Sequence, residues 1–144
     1  MKRLALGFIA LVSFATFGFA SLAMADQLAP NAITLSVAVG KTTAVMSWNA
    51  PSDQCSGAAV ASYDLRYSTS AITACNFESA TTISTTTPQS PGNAECFELT
   101  QGTLSMGTTY WFAVMSRDAA GNWSPISNIV QKTTKTTGGE VTCN

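Results

Sequence analysis

Thr108-Thr109-Tyr110-Trp111-Phe112-Ala113-Val114-Met115-Ser116-Arg117 is the stretch that decides the fold. On an extended chain successive side chains point to opposite faces. Tyr110, Phe112 and Val114 then share one face, and Trp111, Ala113, Met115 and Arg117 share the other. Aromatic and β-branched residues at this spacing suit a pleated strand with one face in a core.

The same period of two recurs to either side. Ile33, Leu35 and Val37 alternate with small or polar residues. In 43–48, Ala44, Met46 and Trp48 fall together. In 60–68, Tyr63, Leu65 and Tyr67 oppose Asp64, Arg66 and Ser68. Ile83 centres a short strand, 96–100 turns Phe97 and Leu99 inward, and 123–133 leads into the last strand past Pro125. Segment 71–77 is ambiguous, with room for one helical turn. Turn chemistry separates these runs: Gly40-Lys41, Asn49-Ala50-Pro51-Ser52-Asp53, Pro88-Gln89-Ser90-Pro91-Gly92-Asn93 and Ala119-Ala120-Gly121-Asn122. About seven short strands at this spacing predict an all-β, seven-stranded antiparallel sandwich of the immunoglobulin-like kind.

The first 25 residues read differently. Lys2 and Arg3 precede an uncharged apolar run to Met24, and Ala23-Met24-Ala25 is a small-x-small cleavage signal. This layout predicts a signal peptide over 1–25 and a secreted or periplasmic protein. An uncleaved anchor is the alternative, since roughly 20 apolar residues can span a bilayer. Cleavage leaves 119 residues, divided into a domain over 26–134 and a Thr/Gly-rich C-terminal tail over 135–144. With Lys2 and Arg3 gone, five basic residues face eight acidic ones, a net charge of −3. A chain with no basic stripe is a poor nucleic-acid binder, and after cleavage it has no feature for holding a membrane.

Histidine is absent, which removes Ser-His-Asp and Cys-His catalysis and the commonest metal ligand. There is no CxxC pair and no glycine-rich phosphate loop. The sequence therefore predicts no catalytic residues, no cofactor and no metal. Glu95, Glu98, Asp64 and Glu78 read as surface charges, with Glu95 and Glu98 on opposite faces of their strand. Asp53 and Asp118 fall in loops at one pole, where a weak calcium site has no ligand pattern behind it. Four cysteines, Cys55, Cys75, Cys96 and Cys143, in an exported chain predict two disulfides.

Four motifs carry a family resemblance. Trp48-Asn49-Ala50-Pro51 resembles the end of the second strand of a fibronectin type III domain, and Tyr63-Asp64-Leu65-Arg66-Tyr67-Ser68 is similar to its third. Leu104-Ser105-Met106-Gly107-Thr108-Thr109-Tyr110 resembles the corner before the sixth strand, and Arg117-Asp118-Ala119-Ala120-Gly121-Asn122-Trp123-Ser124 the last hairpin. The resemblance covers about residues 30–134. Met106 departs from the proline common at the corner, and the cysteines are unusual for the family. The leader inclines the source toward bacteria.

The resemblance implies roles. Trp48, Tyr63, Leu65, Tyr110 and Phe112, with Leu35, Met46, Phe97, Leu99 and Val114, would form the core, and the Tyr110 hydroxyl would bond nearby backbone. It places Cys55 with Cys96 at one pole and Cys75 with Cys143 at the other, which favours those two bridges. The runner-up is Cys75–Cys96, with Cys55 and Cys143 left over. Trp111, Met115 and Arg117, with Arg66 on the neighbouring strand, would face outward as a candidate binding face, either a hot spot or a cation–π ladder that merely covers the sheet. Trp123 is a second candidate. The function implied is an exported binding or adhesion module for a protein or glycan partner at the cell surface or in the periplasm. The alternative is a structural subunit of an extracellular or periplasmic assembly, with its oligomeric state open. Trp48→Ala is expected to cost about 3–5 kcal/mol in chemical denaturation; an unchanged curve would remove Trp48 from the core.

Overall fold

A computed structural model describes residues 26–144, so the expected leader over 1–25 lies outside the described residues. Among the described residues seven strands form two antiparallel sheets: β1 (Ser36–Val39), β2 (Ala44–Asn49), β3 (Ser62–Ser68), β4 (Thr81–Ile83), β5 (Ala94–Leu99), β6 (Thr109–Arg117) and β7 (Val130–Thr133). One sheet runs β1-β2-β5 and the other β4-β3-β6-β7. A short 3-10 turn, Phe77–Ser79, lies between β3 and β4. The all-β sandwich expected from the alternation is the observed fold.

The alternation becomes the core because the sheets face one another. All ten residues expected inward lie buried in one cluster, joined by Ile33, Val37, Ala44, Val60, Ile83 and Leu104. Trp48 of β2 stacks on Phe97 of β5 at 5.0 Å, and Tyr63 of β3 meets Trp48 edge-on, also at 5.0 Å. These three rings bridge the sheets. Offset stacks and edge contacts of this kind are worth about 0.5–1.5 kcal/mol each beyond the area they bury.

Polar side chains finish what the strands leave open. Asn128 donates its amide to the Leu35 carbonyl at 2.9 Å and accepts the Leu35 N–H at 2.7 Å, so one side chain pairs with backbone just ahead of β1. Ser127 and Ser124 hydroxyls accept the N–H groups of Val114 and Ser116 at 3.0 and 2.9 Å. That is why regular β7 begins only at Val130, although 123–133 reads as one extended run. At the corner, the Tyr110 hydroxyl accepts the Ser105 N–H at 3.0 Å. Gly107 there has φ +62°, a region glycine occupies without strain.

The disulfide pairing differs from both expected arrangements. Cys96 is bonded to Cys143 with Cα atoms 5.9 Å apart, while Cys55 and Cys75 are free and exposed. The two bridges Cys55–Cys96 and Cys75–Cys143 are therefore not formed, nor is Cys75–Cys96. The expected pairing kept the tail at the pole where β7 ends. The tail instead crosses the β1–β2 turn, with Lys135 N–H on the Gly40 carbonyl at 2.9 Å. It continues to β5, where Cys143 N–H reaches Glu98 at 3.3 Å. Cys96 points outward on β5 and is the cysteine the tail meets. A non-reducing peptide map is expected to join the peptides of Cys96 and Cys143, with Cys55 and Cys75 alkylated without reductant. A Cys55–Cys96 peptide would contradict this path.

Candidate binding face

The outer face of the four-stranded sheet carries Asp64, Arg66 and Ser68 from β3 beside Trp111, Ala113, Met115 and Arg117 from β6; Arg66 lies opposite Ala113 and Asp64 opposite Met115. The β3–β4 connection covers part of it. Ile72 and Phe77 are buried against Ala113, with Trp111, Met115, Ala80 and Ile126 packed around them. Asn76 holds that connection in shape. Its carbonyl oxygen accepts Thr73 N–H at 2.6 Å and its amide donates to the Ala71 carbonyl at 3.0 Å. Trp111 and Met115 thus point away from the main core but sit half-buried under a flap. The signal for this was present in Ile72 and Phe77, two large apolar residues in a connection of otherwise small or polar ones.

Arg66 is similarly engaged. Its guanidinium makes two bonds to Asp64, at 2.7 and 2.9 Å, donates to the Glu78 carbonyl and lies 5.1 Å from the Phe77 ring centroid. A guanidinium fixed by a bidentate carboxylate and an aromatic face is a wall of the site more than a free charge. Arg117 remains exposed, 5.8 Å from the centroid of Trp123. Trp123 pairs with Arg117 through an isolated bridge and is 43% exposed. The four expected residues therefore divide: Trp111 and Arg66 support the flap, Met115 forms a floor, and Arg117 braces Trp123.

Between flap and hairpin lies a groove of about 310 Å³ lined by Asp64, Arg66, Phe77, Glu78, Met115 and Trp123. A neighbouring hollow of about 230 Å³ shares Phe77, Glu78 and Met115 and adds Ala74, Cys75 and Ile126. Apolar floor, one exposed indole and a charged rim make a surface suited to recognition. A larger hollow, about 520 Å³, lies by the three-stranded sheet and includes Thr34, Ser36, Ser47 and Asn49. Its one aromatic liner, Trp48, is buried in the core, so it offers a partner no free ring.

The acidic residues do not all stay on the surface. Glu95 is 3% exposed and accepts the Tyr63 hydroxyl at 3.1 Å and the Gln89 N–H at 2.6 Å. Reading it as a surface charge was an error: it shares its face with Phe97 and Leu99, so it must point inward. Burial raises the Tyr63 phenol pKa, and the buried Trp48 indole N–H has no hydrogen-bond partner among the described residues. Asp53 and Asp118, expected at one pole, do meet there, joined by Asp26; their carboxylates lie within 4.8 Å of one another. Both are occupied locally. Asp53 accepts Cys55 N–H at 2.9 Å and the Ser56 hydroxyl at 2.5 Å. Asp118 accepts the N–H groups of Gly121 and Asn122 and the Asn122 amide. The cluster therefore reads as loop caps. The Asp26 carboxylate pushes the pKa of the Cys55 thiol up.

No protein-family model and no curated protein matches the chain. Solved structures do. The FN1-FN3 domains of chicken CNTN1 match at 19% identity and TM-score 0.53, over 74% of this chain and 32% of that one. The sixth fibronectin type III domain of human fibronectin type III domain containing protein 3 matches at 22% and 0.49, over 78% and 93%. A fibronectin type III domain from human KIAA0970 protein matches at 14% and 0.47, over 76% and 77%. This chain spans about a third of the CNTN1 fragment. At 19% identity the likeness to the CNTN1 domains shows the fold alone, a fibronectin type III-like sandwich, as the four motifs implied.

For Asp118, burial opposes ionisation, but the Asn122 amide and the N–H groups of Asn122, Gly121 and Ala120 overcome it, and the pKa is lowered. A lowered carboxyl contributes stability above its ordinary pKa of 3.8 and loses it as pH falls through the folded value. The stability gap between the native chain and Asp118→Asn should be widest near neutral pH and close below about 3.8. A gap that widens in acid would contradict these caps.

Proposed function

We propose that this chain is an exported, non-catalytic binding module that presents the outer face of its four-stranded sheet to a protein or glycan partner at the cell surface or in the periplasm. The observation that carries the reading is the groove between flap and hairpin, where exposed Trp123, braced by Arg117, stands over Phe77 and Met115. An amphipathic ring on a rigid hairpin gives contact area at small entropic cost, the usual chemistry of a hot spot. The Cys96–Cys143 disulfide fits an oxidising compartment, and among the described residues no helix is long and apolar enough to cross a membrane.

A second reading, a structural subunit of an extracellular or periplasmic assembly, is favoured by the exposed free thiols of Cys55 and Cys75. Concentration-dependent oligomers would move it ahead. The binding reading is tested by capture from native envelope extract with the oxidised native chain and a folded Trp123→Ala variant side by side. The expected result is a partner retained by the native chain and reduced at least tenfold by the variant. Equal retention by both would place binding off this face.

A further inference from the structure

The last ten residues meet the three-stranded sheet at one defined place. Glu140 puts its carboxylate into the β1–β2 turn. It accepts the Thr42 N–H at 3.0 Å, the Thr42 hydroxyl at 2.9 Å and the Thr43 hydroxyl at 3.0 Å. The Thr43 hydroxyl oxygen also accepts the Val141 N–H at 3.0 Å. Thr42 is held from behind, its hydroxyl accepting Gly102 N–H at 3.1 Å. Gly40 has no side chain where the tail passes. A Cβ on Gly40 would stand 2.7 Å from the Glu140 Cα and 2.6 Å from the Thr43 hydroxyl oxygen, closer than such contacts occur. Three donors converging on one carboxylate, beside a glycine that makes room for it, form a receptor.

The occupant is fastened at both ends. Lys135 bonds Gly40 ahead of it and Cys143 bonds Cys96 behind it. Between them, 136–139 is an exposed strap ending in Gly138-Gly139. The Thr42 N–H first, and then the two threonine hydroxyls, hold Glu140 at about 2 despite partial burial. The carboxylate therefore stays charged in mild acid.

We propose that the turn over 40–43 is a carboxylate receptor for the C-terminal segment, and that once the Cys96–Cys143 disulfide is opened it accepts that segment from a second copy of this chain. The second copy brings the same glutamate on the same glycine-ended strap, so the hydrogen bonds of Glu140 and Val141 are remade between chains. Opening is a two-electron exchange with a dithiol. The dithiol sulfurs become a disulfide, and Cys96 and Cys143 each take up a hydrogen. While the disulfide is closed, both ends of the segment are held and the oxidised chain is self-capped. Once it is open, the chain's own tail, still joined through Lys135, competes at an effective concentration on the order of millimolar, so exchange between copies sets in at high chain concentration. The site lies on the other sheet from the Trp123 groove and does not depend on it.

The test uses the full chain with Glu140→Gln and Cys143→Ser, which removes the competing carboxylate and the bridge from the chain's own tail. The probe is a fluorescent synthetic peptide of residues 135–144 with Ser at 143. The peptide is expected to bind this chain at least tenfold more tightly than a peptide with Gln at 140, and at least tenfold more tightly than it binds the oxidised native chain. Adding Gly40→Ala should abolish binding. The Gln peptide needs no change in the protein, so that arm stands even if Gly40→Ala unfolds. Equal binding of the two peptides, equal binding to the oxidised native chain, or no binding up to about millimolar peptide would overturn the receptor. In sedimentation at high concentration, the dithiol-treated native chain is expected to dimerise and the oxidised chain to stay monomeric. Monomers in both conditions would overturn exchange between copies.

Discussion

The stack of Trp48 on Phe97, with Tyr63 set edge-on from the opposite sheet, is the contact on which the rest depends. Close packing leaves no slack, so the rings set where β2, β3 and β5 lie relative to one another. Glu95 is drawn inside by the same register, because Trp48 lies opposite it in the β2–β5 pairing. A carboxylate buried there must find partners. It takes the Tyr63 hydroxyl and a loop N–H, which ties the 84–93 connection to the aromatic layer.

With the core settled, the two outer faces are treated differently. The three-stranded sheet is crossed by the tail, held by a carboxylate in a turn and by a disulfide. The four-stranded sheet is partly roofed by the connection that holds Ile72 and Phe77. A roof that stops short of the last hairpin leaves a groove with Trp123 on its rim. The proposed binding surface is a by-product of incomplete covering: an apolar strip too wide for the flap, walled by an arginine the flap has immobilised.

Period-two alternation made the strands, the faces and the inward residues legible, since burial on one face dictates that pattern directly. The corner tyrosine was legible because Gly107 and Tyr110 have fixed roles in a tight connection. The site was legible only in outline. Trp111, Met115, Arg66 and Arg117 were placed on the right sheet face, but alternation is blind to what a loop does next. The flap hid there, and with it the shift of emphasis from Trp111 to Trp123. The disulfide was illegible for a similar reason: Cys143 is ten residues past β7, and its path depends on Glu140 finding Thr42 and Thr43 nearly a hundred residues away in sequence. Glu95 departs from its expected surface place because the alternation of β5, not its charge, decides which way it points.

The three tryptophans have three separate jobs: Trp48 in the core, Trp111 under the flap, Trp123 on the rim. Acrylamide quenching of single-tryptophan variants, the other two replaced by Phe, reads each job directly. Quenching should be weakest for Trp48, intermediate for Trp111 and strongest for Trp123. If Trp111 were quenched as freely as Trp123, the flap would not cover the sheet, and the groove as described would not exist.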